Sequence, residues 1–151
     1  MEKKYIHRFR ELIRVFDREI FFQNNASCCN GISVAQCHTL LEIEKNREIS
    51  VTELAANLSL DKSTVSRTVD GLVNISLVDR VTPKENRRLA LLDLTENGEQ
   101  VCSTINGTND LYIKSVLKDF SKDEREEFLR LFEKLTGNMA AVRPNKKNSA
   151  C

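Results

Sequence analysis

The chain has 151 residues, 40% of them hydrophobic and 30% charged, with a formal net charge of +1. That length suits one domain or one subunit of a symmetric oligomer, and the near-neutral balance does not announce a nucleic-acid binder through global charge. Five Gly and two Pro exclude collagen, a linker or a turn-rich barrel, while no Trp, seven Phe and two Tyr make a thin aromatic core. A lean core in a helical chain implies that a partner covers part of the apolar surface. No apolar run approaches a membrane span, and Met1-Glu2-Lys3-Lys4 leads straight into amphipathic sequence, without a signal peptide. A soluble, cytoplasmic protein with no membrane partner is expected.

The first predicted helix runs from about Glu2 to Gln23, with Ile6, Phe9, Ile13, Phe16 and Ile20 repeating at helical spacing. A loop holding Cys28 and Cys29 follows. Ser33 to Gln36 reads as a capping box that opens a second helix to about Lys45, its apolar face Val34, Cys37, Leu40 and Leu41. After a turn at Asn46-Arg47-Glu48, Ser50 to Glu53 is a second capping box, opening a short helix with Leu54, Ala55 and Leu58 inward. Ser59-Leu60 turns tightly, and Asp61 caps a fourth helix from Lys62 to about Asn74, with Val65, Val69, Leu72 and Val73 buried. Short strands over Leu77–Thr82 and Arg88–Leu94 flank a polar tip, forming a wing. Thr95 caps a fifth helix to about Asp119, which Gly107 is placed to kink, and Ser121 to Glu124 is a third capping box before a sixth helix carrying Phe128, Leu131, Phe132, Leu135 and Met139. Residues 143–151 read as a disordered polar tail.

The strongest motif is the pair of short helices around Ser59-Leu60. Ala55 permits a close crossing, and Leu58, Leu60, Val65 and Val69 lock the angle. The fourth helix then offers Ser63, Thr64, Ser66 and Arg67 from its N-terminal half, groups that hydrogen-bond base edges and phosphates in a major groove. Across residues 61–90, Lys62, Arg67, Arg80, Lys84, Arg87 and Arg88 outnumber Asp61, Asp70, Asp79 and Glu85, a modest local positive excess. With Ser50 and Thr52 at the start of the third helix, these residues make the candidate DNA-binding set. The expected fold is mainly α with a small β-wing, a winged helix-turn-helix.

Leu60-Asp61-Lys62-Ser63-Thr64-Val65-Ser66-Arg67, Leu77-Val78-Asp79-Arg80, and Asn86-Arg87-Arg88 running into Leu94-Thr95-Glu96-Asn97-Gly98 resemble, in order and spacing, the MarR (multiple antibiotic resistance regulator) family. The resemblance covers about residues 1–140. It implies one domain over 1–142: a winged helix-turn-helix over about 33–94 flanked by dimerisation helices over about 2–23 and 95–140. It further implies a homodimeric repressor of a pseudo-palindromic operator, with the fourth helix in the major groove and Arg88 reaching the minor groove. Two positions depart from the family pattern: Asn86 where Asp is usual, and Ser76 where a helix-ending Gly is usual.

Five cysteines, Cys28, Cys29, Cys37, Cys102 and Cys151, are an odd number and are expected to be thiols in a reducing compartment. Cys37 and Cys102 alone read as packing and His38 as a surface residue, but adjacent loop thiols such as Cys28 and Cys29 have no packing rationale. Cys28, Cys29, Cys37, His38 and Cys102 are therefore a candidate metal site. The set resembles the site of the zinc-responsive branch of the family, with His38 in place of its second-helix histidine and Cys37 in place of an acidic neighbour. Thr104 and Thr108 fall near the positions of its other histidines. Thiol-rich ligation suits copper(I), cadmium or arsenite, with zinc also open. Cysteine oxidation and a small aromatic ligand are the alternative effectors, and a protein-binding winged-helix module is the alternative function. An enzyme is not expected: Cys37 and His38 diverge by about 100° on a helix, and there is no glycine-rich loop or carboxylate pair.

Overall fold

A computed structural model describes residues 2–26, 31–82 and 90–143. Six helices and three short strands follow one another as α1 (Lys3–Ala26), α2 (Val34–Lys45), β1 (Ile49–Ser50), α3 (Val51–Leu58), α4 (Lys62–Asn74), β2 (Val78–Val81), β3 (Leu91–Leu94), α5 (Glu96–Val116) and α6 (Lys122–Ala141). Among the described residues no helix is long and apolar enough to cross a membrane. The chain divides into two compact units, with the boundary inside α5 between Thr108 and Asn109.

The helix starts follow from their capping chemistry. Ser33, Ser50 and Ser121 each accept from the backbone N–H three residues on, while Gln36, Glu53 and Glu124 reach back to the cap's own N–H. Each box satisfies two of the donors that a helix start leaves open. Thr95 opens α5 by accepting from the Gly98 N–H at 2.9 Å, and its hydroxyl donates to the Ser76 carbonyl at 2.8 Å.

In the first unit the core is built by α2, α3, α4, the sheet and the start of α5. Leu40, Ile43, Leu54, Val65, Val69, Leu72, Val78, Leu92 and Cys102 lose all contact with water. A fully buried aliphatic side chain contributes about 1.5–3 kcal/mol, so this cluster outweighs any polar contact around it. The sheet is antiparallel in the order β1-β3-β2, with Ile49 opposite Leu92 and Val78 opposite Leu94. The same register sets Asp79 against Asp93, a like-charge pair that costs stability unless screened. Arg47 supplies the screening: it contacts Asp93 at 2.6 Å and Glu99 at 2.7 Å, tying the turn after α2 to β3 and α5. Those partners, Glu99 foremost, raise the Arg47 pKa above its ordinary value.

Three non-glycine residues take a left-handed backbone: Glu48 (φ 56°), Ser59 (φ 55°) and Ser76 (φ 57°). Ser76 is the position where the family resemblance implies Gly, and the positive φ supplies the physical reason. Gly98 is needed for a different one, because a Cβ there would meet the Leu77 carbonyl oxygen at 2.1 Å.

Several details differ from the sequence reading. α1 continues through Ala26, past the expected end at Gln23. Val34 is exposed, and Ile43 takes the core position on α2 instead, since burial follows Cys37, Leu40 and Ile43. β1 was not expected; two residues are too few to show alternation, and the strand exists only through its pairing with β3. α5 ends at Val116 and continues unbroken through Gly107. Arg88 and Leu89 of the expected second wing strand, the wing tip and the tail from Pro144 lie outside the described residues.

Candidate nucleic-acid interface

Helices α3 and α4 meet at a turn closed by two backbone bonds, Ser59 N–H to the Ala56 carbonyl and Leu60 N–H to the Ala55 carbonyl, both 3.0 Å. Ala55 is buried at this crossing, as its small size requires, and Leu58 is half-buried. Leu60 is 43% exposed, so the angle is held by Leu54, Val65 and Val69 rather than by Leu60. Because Val65, Val69 and Leu72 bind α4 to the core, helical geometry turns Ser63, Arg67 and Asp70 outward, with Thr64 and Ser66 half-buried at the margin.

The N-terminus of α4 is organised by Asp61. Its carboxylate accepts from the Thr64 N–H at 2.8 Å, the Ser63 hydroxyl at 2.6 Å and the Thr64 hydroxyl at 2.7 Å. The Ser63 hydroxyl first, then the Thr64 hydroxyl and N–H, hold this carboxyl well below the usual carboxylate range. Sequence reasoning gave Asp61 only a capping role; the Asp-Lys-Ser-Thr spacing was the available signal that it also governs two of the presumed reading residues. Lys62 is exposed, and Arg67 is exposed with its Nε donating to the Ser63 carbonyl at 3.3 Å.

Other members of the candidate set have intramolecular duties. Arg80 closes on Asp70 at 2.6 Å, bracing β2 against α4. The Ser50 hydroxyl donates to Glu53 at 2.6 Å within its capping box, whereas Thr52 is exposed one residue inside α3. Lys84, Arg87, Arg88 and Asn86 lie outside the described residues.

The presumed metal ligands are only partly brought together. Cys37 and Cys102 are buried thiols in the same core cluster, but His38 is exposed, turned away from Cys37 by the helical twist. Among the described residues no three His, Cys, Asp or Glu side chains group to hold an ion. Burial foremost, then the charge of Glu44, pushes the Cys102 thiol up to about 11, which disfavours the thiolate that metals and oxidants require. Cys28 and Cys29 lie outside the described residues.

Residues 32–89, which hold α2 through β2, match the family model described as MarR family. Over that stretch the chain is similar to the MarR family. The chain is 24% identical over 111 residues to the helix-turn-helix transcriptional regulator YdgJ of Bacillus subtilis, covering 74% of this chain and 68% of the relative. Its fold is similar to that of a MarR-family protein from Bacillus stearothermophilus, with a TM-score of 0.81 and 23% identity over 93% of this chain and 99% of the other. It is also similar to Streptococcus pneumoniae FabT solved in complex with DNA, with a TM-score of 0.79 and 18% identity over 92% and 99% of the two chains. The relatives it resembles are described as helix-turn-helix transcriptional regulators rather than enzymes, and FabT is solved bound to DNA.

Proposed function

We propose that the protein is a homodimeric repressor that reads a pseudo-palindromic operator with two copies of α4. One observation carries the dimer. From Lys3 through Phe22 every side chain of α1 is exposed, including Tyr5, Ile6, Phe9, Ile13, Phe16, Ile20 and Phe21. An isolated apolar stripe of that size is unstable in water and calls for a complementary face. A second copy supplies it by symmetry, and it sets two reading helices about one DNA turn apart. Repression follows from occupancy, since a dimer seated on an operator blocks the same stretch of duplex to other proteins.

The test is sedimentation of the purified chain alone and with a duplex selected from a random pool. A dimer at micromolar concentration and two chains per duplex are expected; a stable monomer overturns the reading. Arg67→Ala lowers affinity for the selected duplex by about 1–3 kcal/mol at fixed salt if Arg67 meets a base edge.

Control of DNA affinity by a soft ion is a second proposal, supported by the two thiols, Cys37 and Cys102, that share one core cluster. It needs further ligands from Cys28 or Cys29. Titrating reduced protein on operator DNA with zinc, copper(I), cadmium and arsenite, for wild type and for Cys28→Ser with Cys29→Ser, tests it. Unchanged affinity with every ion transfers control to oxidation or to a small aromatic ligand.

A further inference from the structure

We propose that Asp61 is a specificity-determining residue: by taking the hydroxyl protons of Ser63 and Thr64 it makes both side chains acceptors toward DNA, so that the first turn of α4 selects bases carrying an exocyclic amino group, adenine or cytosine. This rests on the reading of α4 as the helix that enters the major groove.

The argument is a count of protons. A serine or threonine hydroxyl has one proton to donate and two lone pairs, and an ionised carboxylate can only accept. Both contacts to Asp61, at 2.6 and 2.7 Å, therefore consume the single proton of each hydroxyl. They are charge-assisted and short, the kind of bond that is lost at greatest cost. The next hydroxyl on this side follows the same rule, since Thr68 donates to the Thr64 carbonyl at 3.0 Å. What Asp61, Ser63 and Thr64 offer outward is then lone pairs. The strong donors of the helix, Lys62 and Arg67, stand apart from them as charged side chains.

Major-groove chemistry turns this into selection. Adenine N6 and cytosine N4 present a proton there, whereas guanine O6, guanine N7, thymine O4 and the phosphate oxygens present only acceptors. An acceptor set against an acceptor leaves both desolvated groups unpaired. A hydroxyl could turn its proton outward only by breaking its bond to Asp61, and the Asp61 charge itself repels phosphate. Ser63, the exposed member of the pair, is the principal reader, and Arg67 is left to read guanine or to hold the backbone.

The experiment selects duplexes from a random pool with the full chain. It then replaces each adenine of the half-site in turn by purine, and each cytosine by 2-pyrimidinone, the same bases without the amino group. The wild type is expected to lose about 5- to 10-fold in affinity at one or two positions per half-site, the scale of a single lost base contact. Asp61→Asn keeps a strong capping side chain, its oxygen still accepting from the Thr64 N–H and the Ser63 hydroxyl, but places an N–H group opposite the Thr64 hydroxyl and so returns a proton to that hydroxyl. It is expected to lose less than twofold at the position read by Thr64, and Ser63→Ala, which leaves the cap in place, less than twofold at the position read by Ser63. Thermal melts of both variants check that the fold is retained. Equal losses in wild type and in both variants at every position, or no loss at any adenine or cytosine, overturn the proposal while specific binding of the unmodified duplex leaves the DNA reading standing. Failure to select any duplex overturns both.

Discussion

The winged helix-turn-helix folds around a core of its own, whereas α1 and α6 carry large apolar side chains at the same helical spacing and bury none of them. Periodicity is equal in the two regions. What differs is whether the chain itself supplies the second surface. In the first region α2, α4 and β3 converge, so Leu40, Leu72 and Leu92 exclude water from one another. In α1 and α6 the stripes of Phe9 and Phe16, and of Phe128 and Phe132, remain 36–50% exposed. An amphipathic helix therefore reports that a face will be covered and is silent on what covers it.

The largest effect is expected where the uncovered face is broken. Phe9→Glu with Phe16→Glu should weaken the proposed dimer by about 4 kcal/mol, roughly a thousandfold, because symmetry counts each substitution twice and buried aromatic anchors dominate interfaces. Sedimentation equilibrium reads the dissociation, and an unchanged constant would show that α1 lies outside the interface. Gly98→Ala attacks the other region. With no room before the Leu77 carbonyl, it should lower the stability of the core by about 3 kcal/mol, measured by urea unfolding. Ser76→Gly sharpens the same point with the opposite sign: relief of the left-handed conformation should raise stability by about 0.5–1 kcal/mol.

The smallest effect is shared by both regions, because carboxylates cap helices in each. Bonds from Ser50 depress the Glu53 pKa, those from Ser121 depress Glu124, and those from Ser63 and Thr64 depress Asp61 furthest. A carboxyl whose native pKa lies below its unfolded value contributes stability above the unfolded value, 4.5 for Glu and 3.8 for Asp. The contribution is lost as pH falls through the native one. Amide shifts of Glu53, Glu124 and Thr64 followed from pH 6 downward should move at the Glu53 and Glu124 caps first and at Asp61 last. Glu53→Gln should abolish the first of these transitions at its own cap.

The sequence made the local elements legible and the pairings between distant segments much less so. Three capping boxes, the Asp61 and Thr95 caps and the buried face of α4 could be read because each depends on residues within a turn or two. β1 could not, since its existence depends on β3. Arg47 gave no signal either: a turn arginine looks solvated until Asp93 and Glu99 arrive beside it. In the interface the outward face of α4 was legible from periodicity, while the engagement of Arg80 by Asp70 and the proton traffic at Asp61 depend on side-chain geometry that spacing does not encode. The thiols were grouped by chemistry, but Cys37 and His38 share adjacency in the chain and not a face of the helix.

Ser50 belongs at once to β1, opposite Leu91, and to the cap of α3, where it accepts from Glu53. β3 lies between β1 and β2, so β1 has no ladder to join until β3 is laid down beside it, late in the chain. Closing that long loop is entropically slow compared with forming a helix or the neighbouring hairpin. During synthesis α3 emerges with the side-chain cap of Ser50 available but the Ser50 backbone not yet paired with Leu91. The helix-turn-helix thus acquires its final entry point only when the wing strand has been made, and the order of manufacture leaves the reading head unfinished until the base of the wing docks.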